Sequence, residues 1–149
     1  MFRMSETVSI DRAPTDVFDF ISDLRNFPRW RANLASSTVM SERSNIAGAW
    51  CEEEIQVGPL RIPGSCSITA LTTGQEFSFR AVSRGLVYDG RLIVEPHGDS
   101  TRLTLGGAVH ISGGLRVLEP LLARRMRSGL RSEVTTIKRL LDPSAAQGG

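Results

Sequence analysis

The sequence predicts an α+β domain in which a seven-stranded, curved antiparallel sheet wraps around a long C-terminal helix, with two short helices after the first strand. Three observations predict it. From about residue 34 to residue 112, apolar residues alternate with a period of two, interrupted by short turn signals. From Leu115 to Leu141 the period becomes helical. Ahead of both lie one more alternating segment and a short helical one.

In chain order, Thr7 to Asp11 alternates as a strand through Val8 and Ile10. Ala13-Pro14-Thr15-Asp16 opens a helix, because proline suits a first helical turn and an acidic residue complements the positive helix end. Val17, Phe20, Ile21 and Leu24 form its inward face, and Asn26-Phe27-Pro28 ends it before a short turn or helix carrying Trp30. Strands are expected at 34–42, 49–57, 60–71, 75–83, 86–95 and 101–112. Between them lie Asn45-Ile46-Ala47-Gly48, Gly58-Pro59, Thr73-Gly74 and Pro96-His97-Gly98-Asp99, and connections this short imply antiparallel neighbours.

After Gly113-Gly114 the long helix is expected over 115–141. Leu115, Leu118, Leu122, Met126, Leu130, Val134, Ile137, Leu140 and Leu141 cover an arc of about 160°, with Arg124, Arg127, Arg131 and Lys138 opposite. Asp142-Pro143 stops the helix, and 143–149 reads as a flexible tail after a single domain over 1–142. One helix of about 40 Å cannot cover seven flat strands, so the sheet must curl and leave a volume between its concave face and the helix.

The 149 residues suit one domain that needs neither metal nor disulfide for its core. Apolar residues make up 40% and charged residues 23%, as in a globular protein, and a net charge of +2 does not point to nucleic acid. No run approaches the roughly 20 apolar residues of a membrane span, and no secretory pattern opens the chain, so a cytoplasmic location is expected. Two cysteines cannot form a disulfide framework, and His97 and His110 lack metal-site spacing. Phosphate loops and nucleophile elbows are missing too, so no metal and no cofactor is expected.

The chain resembles the START-like superfamily, also called SRPBCC, and within it the polyketide cyclase/dehydrase group. The residues that carry the resemblance are Ile10-Asp11-Arg12-Ala13-Pro14 through Val17 to Asp23, then Asn26-Phe27-Pro28-Arg29-Trp30. Val94-Glu95-Pro96 with Asp99 to Leu103, Leu118 to Leu122 and Leu130 to Leu141 extend it over nearly the whole chain. The resemblance implies the helix-grip fold. It also implies a small hydrophobic ligand, of lipid or polyketide type, bound between sheet and helix. These motifs are structural, so no catalytic residue carries over.

Alternation assigns the cavity wall. Leu105, Gly107 and Val109 share the inner side of the last strand, Tyr88, Gly90 and Leu92 that of the sixth, and Phe77 and Phe79 that of the fifth. Cys66 and Ile68 follow on the fourth and Cys51, Glu53 and Ile55 on the third; Leu118, Leu122 and Met126 face them from the helix. Phe27 and Trp30 fall where the resemblance puts the cavity mouth, as a lid or as a staple of the short helices. Inward Gly90 and Gly107 either keep the cavity open or mark bends of the sheet.

Gly58-Pro59 as a two-residue loop sets Val57 opposite Leu60, Ile55 opposite Ile62, Glu53 opposite Gly64 and Cys51 opposite Cys66, unless Pro63-Gly64 inserts a bulge. The two thiols are expected to be free. Glu53 interrupts an apolar face, where desolvation would suit a proton donor or acceptor, or else it lies at a solvated strand end. Tyr88, the single tyrosine, would orient a ligand carbonyl or hydroxyl, or keep its hydroxyl at the surface. Glu133 falls inside the apolar arc, where it would hold backbone N–H groups or an arginine.

Three functions are compatible with these residues: a binder of a hydrophobic molecule; a cyclase or dehydratase, with Glu53 and Tyr88 as weak catalytic candidates; and an interaction protein that docks an acidic partner on Arg124, Arg127, Arg131 and Lys138. The assigned inner faces hold no arginine, which weighs against the cyclase. A monomer or homodimer fits each.

Overall fold

Seven antiparallel strands form one sheet in the order β1-β7-β6-β5-β4-β3-β2 in the computed structural model, which describes residues 1–143. The strands are β1 (Phe2–Ile10), β2 (Leu34–Val39), β3 (Trp50–Val57), β4 (Leu60–Thr72), β5 (Glu76–Ser83), β6 (Leu86–His97) and β7 (Ser100–Ile111). Short helices α1 (Pro14–Ile21) and α2 (Phe27–Trp30) follow β1, and α3 (Glu119–Leu141) closes the fold. The expected tail falls, from residue 144 on, outside the described residues.

The turn residues act as their chemistry requires. Pro14 sits in the first turn of α1, and Asp23 accepts a hydrogen bond from the Arg25 N–H at 3.0 Å, starting the 3-10 turn before α2. Gly58, with φ 58°, takes the left-handed position of the β3–β4 hairpin. The resulting register sets Cys51 opposite Cys66 and Glu53 opposite Gly64, with no bulge at Pro63-Gly64. Pro63 faces Glu54, a position that exchanges no ladder hydrogen bond with β3 and so needs no N–H. The ladder shifts instead between Leu34 and Ser36 and between Ile68 and Ala70.

The single helix expected over 115–141 divides in two. Gly113–Leu118 is a 3-10 segment and α3 begins at Glu119. Pro120 is the reason: it fits a first helical turn, but inside a continuous helix it would clash with the carbonyl four residues earlier. Leu118, expected on the inner wall, therefore lies on the surface at 47% exposure, beside exposed Val117 and Leu121. Leu140 is also exposed, while Ala123, Leu130, Val134, Ile137 and Leu141 form the buried stripe.

α3 runs along the edge strand β1. Arg127 donates to the Arg3 carbonyl at 3.1 Å with its guanidinium over the Phe2 ring, and Lys138 reaches the Ser9 carbonyl. These contacts occupy carbonyls on the open edge of the sheet. Two of the four basic residues assigned to a docking face thus bind the domain's own backbone, while Arg124 and Arg131 stay exposed. At the far end the buried Asp142 carboxylate accepts the Asp11 N–H at 3.1 Å and pairs with Lys138 at 2.9 Å.

Under α1 and α2 the core is aromatic. Phe27 lies 5.1 Å from Trp30 and 5.8 Å from Phe79, and Phe18 meets Phe77 at 6.4 Å, centroid to centroid. Phe27 is fully buried and Trp30 nearly so, which makes them the staple of the short helices rather than a lid. Gly90 does not open the interior: a Cβ there would strike the Phe79 ring, which fills that space. At Gly107 a Cβ would strike the Asp89 carbonyl, so this glycine permits close backbone approach between β6 and β7.

Candidate functional site

A group of polar side chains meets in the apolar interior around Arg31 and Glu53. It starts where α2 ends: the chain leaves Trp30 in an extended conformation at Arg31 (φ −73°, ψ 132°), which turns that side chain inward. The Arg31 Nη1 donates to Glu53 Oε2 at 2.6 Å, with side-chain exposures of 10% and 0%. The next residue ties the segment to α3, because the Ala32 N–H donates to Glu133 Oε2 at 3.2 Å. Two consecutive residues therefore connect the sheet to the closing helix.

The cluster extends along β3, β4 and β6. Cys51 and Cys66 are buried free thiols, and the Cys51 Sγ lies 4.0 Å from Glu53 Oε2. Ser37 on β2 stands beside Cys51. Tyr88 on β6 meets Phe79 edge-to-face at 5.5 Å. Its buried Oη has no hydrogen-bond partner among the described residues, nor do Glu53 Oε1 and Trp30 Nε1.

Burial pushes the Glu133 carboxyl up to about 7, against Arg31 and the Ala32 N–H, which pull it down. Burial also raises the Tyr88 phenol, and the Glu133 charge adds to the rise. For Arg31, burial favours the neutral form, but Glu53, Cys66 and Glu133 outweigh it and the guanidinium stays charged.

The structure brings together Glu53, Tyr88, Cys51 and Cys66 from the sequence-assigned wall, with Glu133 from the helix. Phe27, Trp30, Ile68, Phe77, Phe79, Leu92, Leu105 and Val109 are buried around them; Leu122, Met126 and Ile55 are half-buried at the other end. Glu53 is not a solvated strand end, and neither is it a lone carboxylate in an apolar wall, since Arg31 neutralises it. Arg31 is the member of this group that alternation missed. His97 and His110 are exposed.

The half-buried residues gather at one end of the sheet. Pairings of Leu34 with Ile55, Gly64 with Ser83 and Leu86 with Ile111 place the start of β2, two hairpin tips and the way into α3 at the same end of the sheet. Leu86, Leu115, Leu122 and Met126 line it, under exposed Val117 and Leu121. Two hollows lie elsewhere. One of about 180 Å³ runs between β1 and α3, and one of about 470 Å³ lies on the outer face of β2–β4 beside Trp50 and Glu52. No helix among the described residues is long and apolar enough to cross a membrane.

The fold is shared with solved structures of low sequence identity. A protein of Thermus thermophilus is similar at TM-score 0.78 and 14% identity, over 93% of this chain and 95% of that one. A START superfamily protein of Mycobacterium smegmatis is similar at 0.73 and 11%, over 93% and 96%. DynU16, from the dynemicin biosynthetic locus, is similar at 0.63 and 16%; the match covers 95% of this chain and 48% of that one. Among curated proteins none matches. The profile of one family, described as polyketide cyclase/dehydrase and lipid transport, matches residues 1–142, from the first strand to the end of α3, and the chain belongs to that family.

Proposed function

We propose that this protein binds an uncharged, largely apolar molecule bearing hydroxyl or carbonyl groups, between the inner face of the sheet and α3. The observation that carries the reading is that two buried polar atoms, Tyr88 Oη and Glu53 Oε1, have no hydrogen-bond partner among the described residues. A buried polar atom without a partner costs about 1–3 kcal/mol, so a ligand that supplies one gains affinity at that point. The Tyr88 hydroxyl would donate to a carbonyl, and Glu53 Oε1 would accept from a hydroxyl. Apolar burial along Phe79, Leu105 and Met126, at about 25 cal/mol per Å², would supply the remaining affinity. The Arg31 charge is already matched by Glu53, with Glu133 close by, so a fatty-acid carboxylate finds no free cation here.

The test begins with native mass spectrometry of freshly purified protein, looking for a mass that leaves on denaturation. Titration with a dihydroxyanthraquinone and with oleate then separates the ligand classes. The expected result is at least tenfold tighter binding of the anthraquinone. A preference for oleate would overturn the reading.

Arg31 and Glu133 favour a second reading, a cyclase or dehydratase. An interior arginine can polarise a ketone, and a carboxyl brought to about 7 can both give and take a proton near neutrality. Glu133→Gln decides: lost turnover of a bound ketone with unchanged affinity supports catalysis, and unchanged turnover removes it.

A further inference from the structure

Beyond ligand binding, we propose that Cys51 and Cys66 are a modification site for hydroperoxides, closing to a cross-strand disulfide in the wall of the interior. The register is the first support. The two residues are direct partners across β3 and β4, both buried, both free, on the concave face. Counting in twos from the Val57–Leu60 closing pair makes Cys51–Cys66 a pair that exchanges ladder hydrogen bonds. The Ile68 N–H bond to the Ala49 carbonyl at 2.9 Å, one step further along, keeps that phase. Such pairs have Cα atoms about 5.5 Å apart, inside the range a disulfide spans. Their Cβ atoms stand about a further ångström apart than a relaxed disulfide wants. Closing the bond therefore draws the strands together, and the strain makes it easy to reduce.

The surroundings make the two sulfurs unequal. The neighbouring Cys66, with Ser37 and Arg31, brings the Cys51 thiol down to about 7 against burial and the Glu53 charge. The same neighbour relation, and burial, push Cys66 up. Cys51, on the strand next to the edge strand, is the nucleophile, and Cys66, one strand further in, is the resolving thiol. On its far side β3 pairs with β2, a six-residue edge strand with a register shift, and local opening of such an edge is enough to admit hydrogen peroxide.

The chemistry balances. The Cys51 thiolate attacks the O–O bond of hydrogen peroxide; an S–O bond forms, O–O breaks, and hydroxide leaves and is protonated to water. The Cys66 sulfur then attacks the Cys51 sulfenic acid; S–S forms, S–O breaks, and a second water leaves with the Cys66 proton. The thiol pair loses two electrons and the peroxide gains them.

The test is treatment of the folded full chain with hydrogen peroxide, then denaturation, alkylation and intact mass. The expected product is a monomer about 2 Da lighter that takes up no alkylating agent, and dithiothreitol restores it. Cys66→Ser is expected to stop at a sulfenic acid on Cys51 that dimedone traps, and Cys51→Ser to leave Cys66 unreacted. The wild-type chain in urea, which needs no variant to fold, is expected to form the disulfide at least tenfold more slowly. Two alkylated thiols after peroxide, a disulfide between chains, or equal rates folded and unfolded would each overturn the proposal. None of these outcomes depends on which ligand the interior takes.

Discussion

The inner face of the sheet differs between its two halves. Under α1 and α2, β5 and β6 present Phe77, Phe79 and Leu92 to Phe18 and Phe27, and side chains fill the space down to the ring that occupies the place of a Cβ at Gly90. Towards β3 and β4 the wall carries Glu53, Cys51 and Cys66, and its neighbours are Arg31 and Glu133. The first half follows from area and shape. The second contains charges whose burial is costly and which balance only as a set. A chain that needed stability alone would gain by making both halves apolar, so the polar half is where function is read.

Phe77→Ala breaks the comparison on the packed side, and it has the largest expected effect. Removing a fully buried ring leaves a cavity and costs about 3–5 kcal/mol in urea unfolding. The polar half responds differently. Glu53→Leu alone leaves Arg31 buried and unpaired and costs about 3 kcal/mol, while adding Arg31→Met to the same chain returns most of that loss. If the double variant is no more stable than Glu53→Leu, the pair acts separately and the distinction between the halves fails.

Glu133 sharpens the comparison through pH. Its carboxyl is at about 7 in the fold and 4.5 as a free side chain. Between those values the folded chain binds the extra proton, so stability falls as pH rises. The contribution is full below about 4.5 and is lost through about 7, on the order of 3 kcal/mol in all. Glu133→Gln is expected to flatten the stability profile across that window. A wild-type profile already flat there would show that Glu133 is not held neutral by the interior.

Most of the fold was legible because its signals are local and periodic. Gly58-Pro59 fixes the hairpin, and with it the facing of Cys51 and Cys66, since a two-residue loop leaves no freedom of register. Pro120 also carried its message, a first-turn residue ahead of a helix, but the apolar arc running past it from Leu115 hid the break. The site was legible only where it lies on strands or the helix: Glu53, Tyr88 and Glu133 were found by their faces. Arg31 sits on a connection of a few residues between α2 and β2, where no period exists to assign a face. Its direction depends on a single extended residue after Trp30 and on a carboxylate 22 positions away. Conversely, Gly90 lies on the expected face, but only the packing of Phe79 decides whether the space above it is empty.

The smallest effect on stability tests the polar half most directly. Tyr88→Phe removes a hydroxyl that has no partner among the described residues and keeps the ring against Phe79. Since no hydrogen bond is lost and a buried unsatisfied oxygen is removed, unfolding in urea is expected to change by less than about 1 kcal/mol, in the stabilising direction. Affinity for a ligand that accepts from that hydroxyl should fall by about five- to tenfold in the same variant. A structural tyrosine would give the opposite pattern, with stability lost and binding kept. The packed half offers the control: Phe18→Leu, whose ring meets Phe77 edge-on, should cost stability and leave the preference between the anthraquinone and oleate where it was.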